Sequence, residues 1–317
     1  MKRFVILASC LFALTTFVAL AADEKNGDDD VEAGTIGTGI MGEITGLGSI
    51  HVSGVRIALP QNLVLRAPDG TVRQAGAVSA GETVVVDAVP SQDGLTATRI
   101  SHFHPIVAPV ESISSDHLRL LSLDIDIAGL SANGLAPGDW VAVSGLWRDN
   151  TLVASHLRPM AAQKQITVNG TYRLDGNGHP KIGPFHLDSP VDARVGDHLR
   201  VSGDWMPEGM SIRARDVDSG LFALDQQQLL VEGYMSQPDA NGTYFIFGSG
   251  TIFTTEDPNM RVPSERSVFC VHLGPQPSFT QLLSLSMSRT DRLDLLEQLP
   301  VDTTIFDNLN GGCGAAN

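Results

Sequence analysis

One short motif occurs three times in this chain at nearly constant spacing, and it constrains the fold more than any other feature. Each copy has a small or apolar residue, a glycine and an acid, followed by a mainly apolar run. The copies are Ala80-Gly81-Glu82-Thr83-Val84-Val85-Val86, Pro137-Gly138-Asp139-Trp140-Val141-Ala142-Val143 and Val195-Gly196-Asp197-His198-Leu199-Arg200-Val201. Their glycines lie 57 and 58 residues apart. A fixed internal period predicts a tandem array of one small folding unit.

Local chemistry predicts what each motif builds. The residues three and five places after the glycine share one face of a strand, so we expect them in the core. They are Val84 and Val86, Val141 and Val143, and Leu199 and Val201. The acids Glu82, Asp139 and Asp197 are expected to accept hydrogen bonds from N–H groups of the turn.

A second signal, an apolar-x-Ala-x-x-apolar run, follows each motif. The runs are 95–100, 152–157 and 212–217. Their apolar residues stand two places before and three after the alanine, which breaks the period of two expected of a strand. This spacing predicts a β-bulge or strand end just after Ala97, Ala154 and Ala214.

The sequence therefore predicts an all-β fold built from tandem small barrels of the OB or SH3-like kind. We place the repeats at 36–105, 106–162 and 163–224, with a degenerate fourth repeat at 225–275. Leucines between 282 and 299 recur at helical spacing. They predict a short α-helical segment within 276–317, followed by a tail.

The first 22 residues have the layout of a signal peptide: Lys2 and Arg3, an apolar run, and small residues up to a cleavage site near Ala21. We therefore expect a periplasmic or secreted protein. A lipoprotein attached through Cys10 is disfavoured, because only three apolar residues separate Arg3 from Leu7. Residues 23–35 form an acidic leader, which we expect to be disordered.

Charge excludes some partners. The chain has 21 Lys and Arg against 36 Asp and Glu, and removal of the signal leaves 19 against 36, a balance of −17. Such a charge repels nucleic acid, so we expect no nucleic-acid partner. We also expect no transmembrane segment after Ala22, because no later apolar run is long enough.

The start of the first repeat reads Gly34-Thr35-Ile36-Gly37-Thr38-Gly39-Ile40, then Gly42-Glu43-Ile44-Thr45-Gly46-Leu47-Gly48-Ser49-Ile50-His51-Val52-Ser53-Gly54. This resembles the opening of bacterial exported proteins that carry domain of unknown function 5666. The resemblance covers about 34–160 and extends, with fewer matching positions, over 163–220. It implies small β-barrel repeats. It implies no catalytic residues, because the family has no established activity.

Two groups of side chains are candidates for binding. Trp147 and Trp205 both fall nine residues after a motif glycine, and Trp140 is out of phase with the core pair. Exposed tryptophans here would stack on a sugar or peptide, whereas buried ones would close the ends of barrels. His102 and His104 offer two imidazoles for zinc or copper, although two surface histidines at a repeat junction remain the alternative.

Cysteine count and missing motifs complete the expectations. Cys270 and Cys313 are the two cysteines after the signal, and in an oxidising compartment they predict one disulfide, with two free thiols as the alternative. The sequence has no Gly-x-Ser-x-Gly elbow, His-Glu-x-x-His helix or phosphate loop, and no cofactor is predicted.

The leading functional hypothesis is a non-enzymatic envelope protein that binds a protein, peptide or glycan. One alternative is a metal-binding protein that uses His102 and His104. Another is an exported hydrolase with its site in 229–317.

Overall fold

The computed structural model shows an all-β protein. In the part of the chain that it describes, every regular element is a strand. Among these same residues there is accordingly no helix long and apolar enough to cross a membrane. The described residues are 37–66, 72–74, 77–92, 94–132, 134–223, 226–239, 241–254, 262–273 and 278–284. The signal peptide, the acidic leader and 285–317 lie outside them.

The first barrel is a closed ring of five strands with a small hairpin beside it. Hydrogen bonding follows the order β1-β2-β3-β7-β6 and returns to β1. Only the β3–β7 contact is parallel within that ring. The strands are β1 (Gly37–Gly46), β2 (Ile50–Val52), β3 (Val55–Ala58), β4 (Val64–Arg66), β5 (Val72–Gln74), β6 (Thr83–Ser91) and β7 (Gly94–His102).

The third barrel repeats this ring. Its strands pair in the order β14-β15-β16-β18-β17 and return to β14, again with one parallel contact, β16–β18. The strands are β14 (Ile166–Leu174), β15 (Pro180–Ile182), β16 (Phe185–Leu187), β17 (His198–Met206) and β18 (Ser211–Ser219).

The second barrel has the same succession with its first strand broken in two. β8 and β9 occupy the place of one strand: β8 pairs with β12, and β9 pairs with β10. β10 pairs with β11, β12 pairs with β13, and β11 lies beside β13. The strands are β8 (Ile106–Pro109), β9 (Ser112–Ile113), β10 (His117–Leu120), β11 (Leu123–Asp126), β12 (Trp140–Arg148) and β13 (Thr151–Met160).

The repeated local features are confirmed at residue level. All six predicted core residues are at most 1 % exposed. The strand ladders shift register immediately after Ala97, Ala154 and Ala214, so each return strand carries the predicted bulge. The bulge lets a nine- or ten-residue strand bend around a ring of only five strands.

Both faces of the motif strands β6 and β12 are buried, which alternation within one barrel does not predict. Val85 and Ala142 point away from the interiors formed by the core pairs, yet they are 1 % and 0 % exposed. Val85 and Met41 of the first barrel share one apolar core with the second and third barrels. The barrels are thus packed against one another.

Backbone hydrogen bonds also join the barrels. β8 pairs with β12 on one side and with β14 of the third barrel on the other. β1 pairs in parallel with β19 (Gln226–Gly233), a strand that follows all three barrels in the sequence. From Gly37 onward the described residues form one compact unit. The predicted repeat boundaries stay predictions, although one set of strands lies in each of the three ranges.

After the third barrel, the segment that begins with β19 contacts all three barrels. β19 and its partner β22 (Ser267–His272) extend the sheet of the first barrel. Between them, the hairpin β20 (Thr243–Ile246) and β21 (Thr251–Thr254) packs on the third barrel, where the turn N–H of Gly248 donates to Thr171 Oγ1 at 2.7 Å. The described residues of 225–275 thus form strands β19 to β22, and the predicted fourth repeat over this range stays a prediction.

The C-terminal leucine segment differs from the prediction over its first residues. Ser278–Ser284 forms strand β23, which pairs antiparallel with β22. Without β23, β22 would present an unpaired backbone edge, and backbone pairing there outweighs the helical spacing of the leucines. Residues 285–317, where the rest of the predicted helix falls, lie outside the described residues.

Candidate functional site

The acid of each repeated motif accepts a hydrogen bond from an N–H group of its turn, as the sequence predicts. Glu82 Oε2 accepts the N–H of Ser79 at 2.9 Å. Asp139 Oδ2 accepts the N–H of Ala136 at 2.9 Å, and Asp197 Oδ2 accepts that of Arg194 at 2.8 Å. All three carboxylates therefore cap the turn that starts a motif strand, as predicted.

Only the first of these acids is fully buried. Glu82 has no exposed surface, because the second barrel packs over its turn. His102 Nε2 lies 3.0 Å from Glu82 Oε2. Arg158 of β13 donates from Nε to Oε1 at 2.8 Å and also from Nη2 to the same oxygen. His156 Nδ1, also on β13, lies 3.8 Å from Oε1.

We call Glu82, His102, His104, His156 and Arg158 the junction cluster. His104 completes it, because its ring lies 5.0 Å from that of His102. His104 is 1 % exposed, and neither of its ring nitrogens has a hydrogen-bond partner among the described residues. The cluster therefore combines one buried carboxylate, one guanidinium and three imidazoles at the contact between the first two barrels.

The electrostatics of the cluster favour an ionised Glu82 and a neutral His104. Burial raises the pKa of Glu82, but hydrogen bonds and charges from His102, Arg158 and the Ser79 N–H outweigh it and lower the pKa to about 2. Burial is the main cause that lowers the pKa of His104 well below its usual value, and His102 adds to the effect. Shifts of this kind concentrate at functional sites.

A pocket opens beside the cluster on the second barrel, between β13 and the loop that follows β11. It has a volume of about 400 Å³. We call it the junction pocket. Its lining residues are Gly129, Leu130, Ser131, Ala132, Leu135, Ser155, His156, Leu157 and Pro159.

His156 connects the pocket to the cluster. Its side chain is 27 % exposed and lines the pocket, while Nδ1 faces the buried Glu82. Ser144 lies opposite His156 in the β12–β13 ladder, and its buried hydroxyl has no hydrogen-bond partner in the described structure. The bulge after Ala154 falls at Ser155, whose hydroxyl lies 3.4 Å from that of Thr83 in the first barrel. The pocket is thus lined by both polar and apolar residues, and the neighbouring barrel contacts the residues around His156.

The structure brings the predicted metal-binding pair together, but in a different setting from the one the sequence suggested. His102 and His104 are both buried, and Arg158 Nη2 lies 3.4 Å from His102 Nε2. In the described ranges, no group of three or more His, Cys, Asp or Glu side chains is arranged to hold a metal ion. A cation at His102 would meet the positive charge of Arg158. Metal binding by this pair stays a prediction.

The three tryptophans occupy different environments. Trp147 is 2 % exposed, and its Nε1 donates to the carbonyl of Asn169 at 2.6 Å. It meets Phe185 edge-to-face at 6.3 Å, so it packs inside the protein and is not available at the surface. Trp205 is half-buried and also meets Phe185 edge-to-face, with the ring centroids 5.7 Å apart. Trp140 is also half-buried and packs on the larger core.

The predicted disulfide involves one described residue. Cys270 is fully buried in β22, and Gln228 Nε2 lies 3.6 Å from its sulfur. Cys313 lies outside the described residues, so its pairing with Cys270 stays a prediction.

Sequence reasoning did not assign roles to His156 and Arg158. A signal was present, because the repeats align Arg99, His156 and Asp216 at one position. In the first barrel that position holds Arg99, which pairs with Asp87 of the neighbouring strand. A histidine in place of a charge-paired residue marks a change of environment, and comparing the repeats position by position would have found it.

One comparison with known proteins finds a family match, and it falls on the second barrel. Residues 108–158 match the family model described as "Domain of unknown function (DUF5666)". The match runs from β8 to β13 and includes His156 and Arg158. The resemblance to this family is therefore confirmed for the second barrel. No curated protein and no solved structure matches the chain.

Proposed function

We propose that this chain is an exported, non-enzymatic binding and scaffold protein of the cell envelope, with the junction pocket as its ligand site. The observation that carries the proposal is the pocket itself: a concavity in which apolar and polar residues converge, next to residues of perturbed pKa. A cleft beside residues of perturbed pKa is a candidate ligand site. The proposed location follows from the signal peptide predicted over 1–22.

The ring order of the barrels supports a binding role. Strands in the order 1-2-3-5-4, closing on strand 1, correspond to the OB kind of barrel that the sequence suggested. Barrels of this kind hold ligands with exposed strand faces and the loops that connect them. The junction pocket lies between one strand of such a barrel and a connecting loop, so it occupies a comparable place.

The way the barrels are joined supports a scaffold role. Shared ladders connect β8 to β14 and β1 to β19, and the β20–β21 hairpin packs on the third barrel. These links fix the spacing between barrels, whereas flexible linkers would let it vary. A partner bound at the junction pocket would be held at a defined position relative to the other barrel surfaces.

A pocket-filling substitution tests the proposal. Leu135 lines the pocket, and Leu135→Trp adds bulk that should block it. Leu174→Trp is the matched control, because Leu174 is 46 % exposed on the third barrel. Both variants would be compared with the unaltered protein by cross-linking capture from a cell-envelope extract, after melting curves establish that they are folded.

The unaltered protein and Leu174→Trp should capture the same partner, and Leu135→Trp should lose it. A broad screen for hydrolase and redox activity should find no turnover. Turnover in that screen would overturn the non-enzymatic part of the proposal. Equal capture by all three proteins would remove the junction pocket as the site.

A further inference from the structure

The third barrel has a longer loop between its first two strands than the other two barrels have. Residues 175–179 join β14 to β15, and this loop has five residues. The corresponding loops of the first and second barrels, 47–49 and 114–116, have three residues each. In barrels of the OB kind, the face of strands two and three and the loop between strands one and two take part in binding oligonucleotides and oligosaccharides. The lengthened loop therefore stands where such a barrel would hold a ligand.

Asp175 gives this loop a defined conformation. Its Oδ1 accepts the N–H of Asn177 at 2.8 Å and that of His179 at 2.9 Å. The N–H of Asp175 donates in turn to the carbonyl of His179 at 2.9 Å. The hydrogen bond from the His179 N–H is the largest cause that lowers the pKa of Asp175 to about 2, so its carboxylate is ionised at neutral pH. A loop held in this way needs little further ordering when it binds a ligand.

A pocket lies between this loop, β15 and β16, and we call it the third-barrel pocket. Its volume of about 570 Å³ is within the range of pockets that bind small molecules. The surface that lines it is more apolar than polar. The lining consists of Asp175, Gly178 and His179 of the loop, Pro180 of β15, and residues 186–190 of β16 and the segment after it.

The polar groups of the third-barrel pocket are mostly hydrogen-bond acceptors. Asp175 Oδ2 lies 3.1 Å from His179 Nδ1 and 4.0 Å from His186 Nδ1. A neutral imidazole that donates from Nδ1 to a carboxylate keeps Nε2 as an acceptor. Asp188 adds a second carboxylate, and Ser189 adds a hydroxyl. A matching ligand must therefore supply hydrogen-bond donors.

The charges around the pocket favour a neutral ligand. Arg213 Nε of β18 lies 3.4 Å from Asp188 Oδ2. Lys181 of β15 and Asp175 attract each other. A cationic ligand would be repelled by Arg213 and Lys181, and an anionic ligand by the chain's net charge of −15. A neutral molecule with several hydroxyl groups donates hydrogen bonds without either repulsion.

The prolines supply the apolar part of the lining. Pro190 is exposed and Pro180 is half-buried, so both present surface to the pocket. A pyranose ring has faces of C–H groups that pack on apolar surface, while its hydroxyls point outward and form hydrogen bonds. This division between face and edge matches a pocket with apolar surface and converging acceptors.

We infer that the third-barrel pocket binds a neutral oligosaccharide. Its hydroxyls donate to His179 and Asp188, and its C–H faces pack on Pro180 and Pro190. The inference goes beyond the proposed function, because it assigns a site on a different barrel from the junction pocket.

Calorimetric titration of the protein without its predicted signal peptide tests the ligand class. The probes are three neutral tetrasaccharides, maltotetraose, cellotetraose and chitotetraose, and one cationic peptide, tetralysine. At least one tetrasaccharide should bind, and tetralysine should bind at least about tenfold more weakly than that sugar.

Two tryptophan substitutions locate the site. Ser189 lines the pocket and is exposed, so Ser189→Trp should fill the pocket and abolish binding of the sugar. Ser219→Trp is the matched control, because Ser219 is exposed at the end of β18 that lies away from the pairing of Ile212 with Leu187. It should leave the affinity unchanged. Melting curves establish that both variants are folded.

A histidine substitution tests the acceptor groups. The side chain of His179 is 66 % exposed, so His179→Ala should leave the fold intact. It should weaken binding of the sugar about tenfold, through loss of a hydrogen bond and of contact surface. His117→Ala is the control, because His117 is exposed on β10 and lies outside the pocket. It should have no effect.

The junction-pocket variant Leu135→Trp should bind the sugar as the unaltered protein does. Loss of sugar binding in Leu135→Trp, or equal binding by Ser189→Trp and Ser219→Trp, would overturn the third-barrel site. Binding of none of the three tetrasaccharides, or tighter binding of tetralysine, would overturn the ligand class. None of these results changes the capture experiment on the junction pocket, so failure of this inference and failure of the proposed function are distinguishable.

Discussion

Glu82 and Asp139 occupy the same position in neighbouring barrels but differ in burial and in the residues they contact. Both follow a motif glycine and both accept a hydrogen bond from the N–H three residues earlier, at 2.9 Å. Asp139 remains exposed, and this cap is its role in the described contacts. Glu82 is fully buried and also meets His102, His156 and Arg158.

This difference in burial arises from the barrel that packs against each turn, because the turns themselves have the same capping hydrogen bond. The first barrel's turn lies under β13 of the second barrel, which brings Arg158 and His156 to it. Glutamate is one methylene longer than aspartate, so it can cap its own turn and reach a neighbour at once. The capping carboxylate of the repeated turn is thus, in the first barrel, also the centre of a charged cluster where two repeats meet.

Removing the two acids should give the largest contrast. Glu82→Ala leaves Arg158 without its counter-charge at a mostly buried position, so we expect a loss of about 3–5 kcal/mol in the free energy of unfolding. Asp139→Ala removes only an exposed cap and should cost about 1 kcal/mol. Urea unfolding monitored by tryptophan fluorescence measures both. Equal losses for the two variants would show that burial of Glu82 carries no extra energy.

Acid titration should give the next largest effect and extends the comparison to the third barrel. His198 follows the motif acid there, where the first two barrels have Thr83 and Trp140. Burial, opposed by a backbone hydrogen bond with Gly220, lowers the pKa of His198 from 6.5 to about 4. The unfolded chain therefore binds a proton before the folded protein does. The contribution of neutral, buried His198 to the free energy of unfolding is therefore present above pH 6.5. It falls by about 3 kcal/mol as the pH approaches 4.

Buried His104 acts in the same direction, whereas Glu82 adds a second loss only between its ordinary pKa of 4.5 and about 2. Urea unfolding at pH 7, 5.5 and 4 measures the first window. His198→Leu should flatten that part of the curve, and His117→Gln should not. Constant stability of the unaltered protein from pH 7 to 4 would contradict the assigned burial of both histidines.

The bulge position should give the smallest contrast. Gly145, Gly203 and Ala88 pair with Ala154, Ala214 and Ala97 beside the three bulges. A Cβ on Gly145 would overlap the carbonyl oxygen of Val153, so Gly145→Ala should cost about 2 kcal/mol. Ala88→Gly should cost only about 1 kcal/mol, through backbone entropy. Chemical unfolding would test this, and a harmless Gly145→Ala would contradict the steric overlap at the bulge of the second barrel.

Much of the fold was predictable, but little of the candidate site was. The alternation in Val84-Val85-Val86 and the offset around Ala97 are properties of a few neighbouring residues, so they specify a strand, a core face and a bulge. The site depends on Glu82 and His156, which are 74 residues apart in the sequence. The sequence identified His102 and His104 but not the residues that meet them.

The sequence by itself determined the repeat period, the all-β barrels, the six core positions, the three bulges and the three capped turns. These follow from backbone geometry and side-chain alternation over fewer than about ten residues, which are the same wherever the segment lies. The tertiary structure alone decided that Glu82 is buried, that Val85 faces a second barrel, and that Ser278–Ser284 completes a sheet edge. Each of these depends on which surface arrives from a distant part of the chain, and no local pattern encodes that.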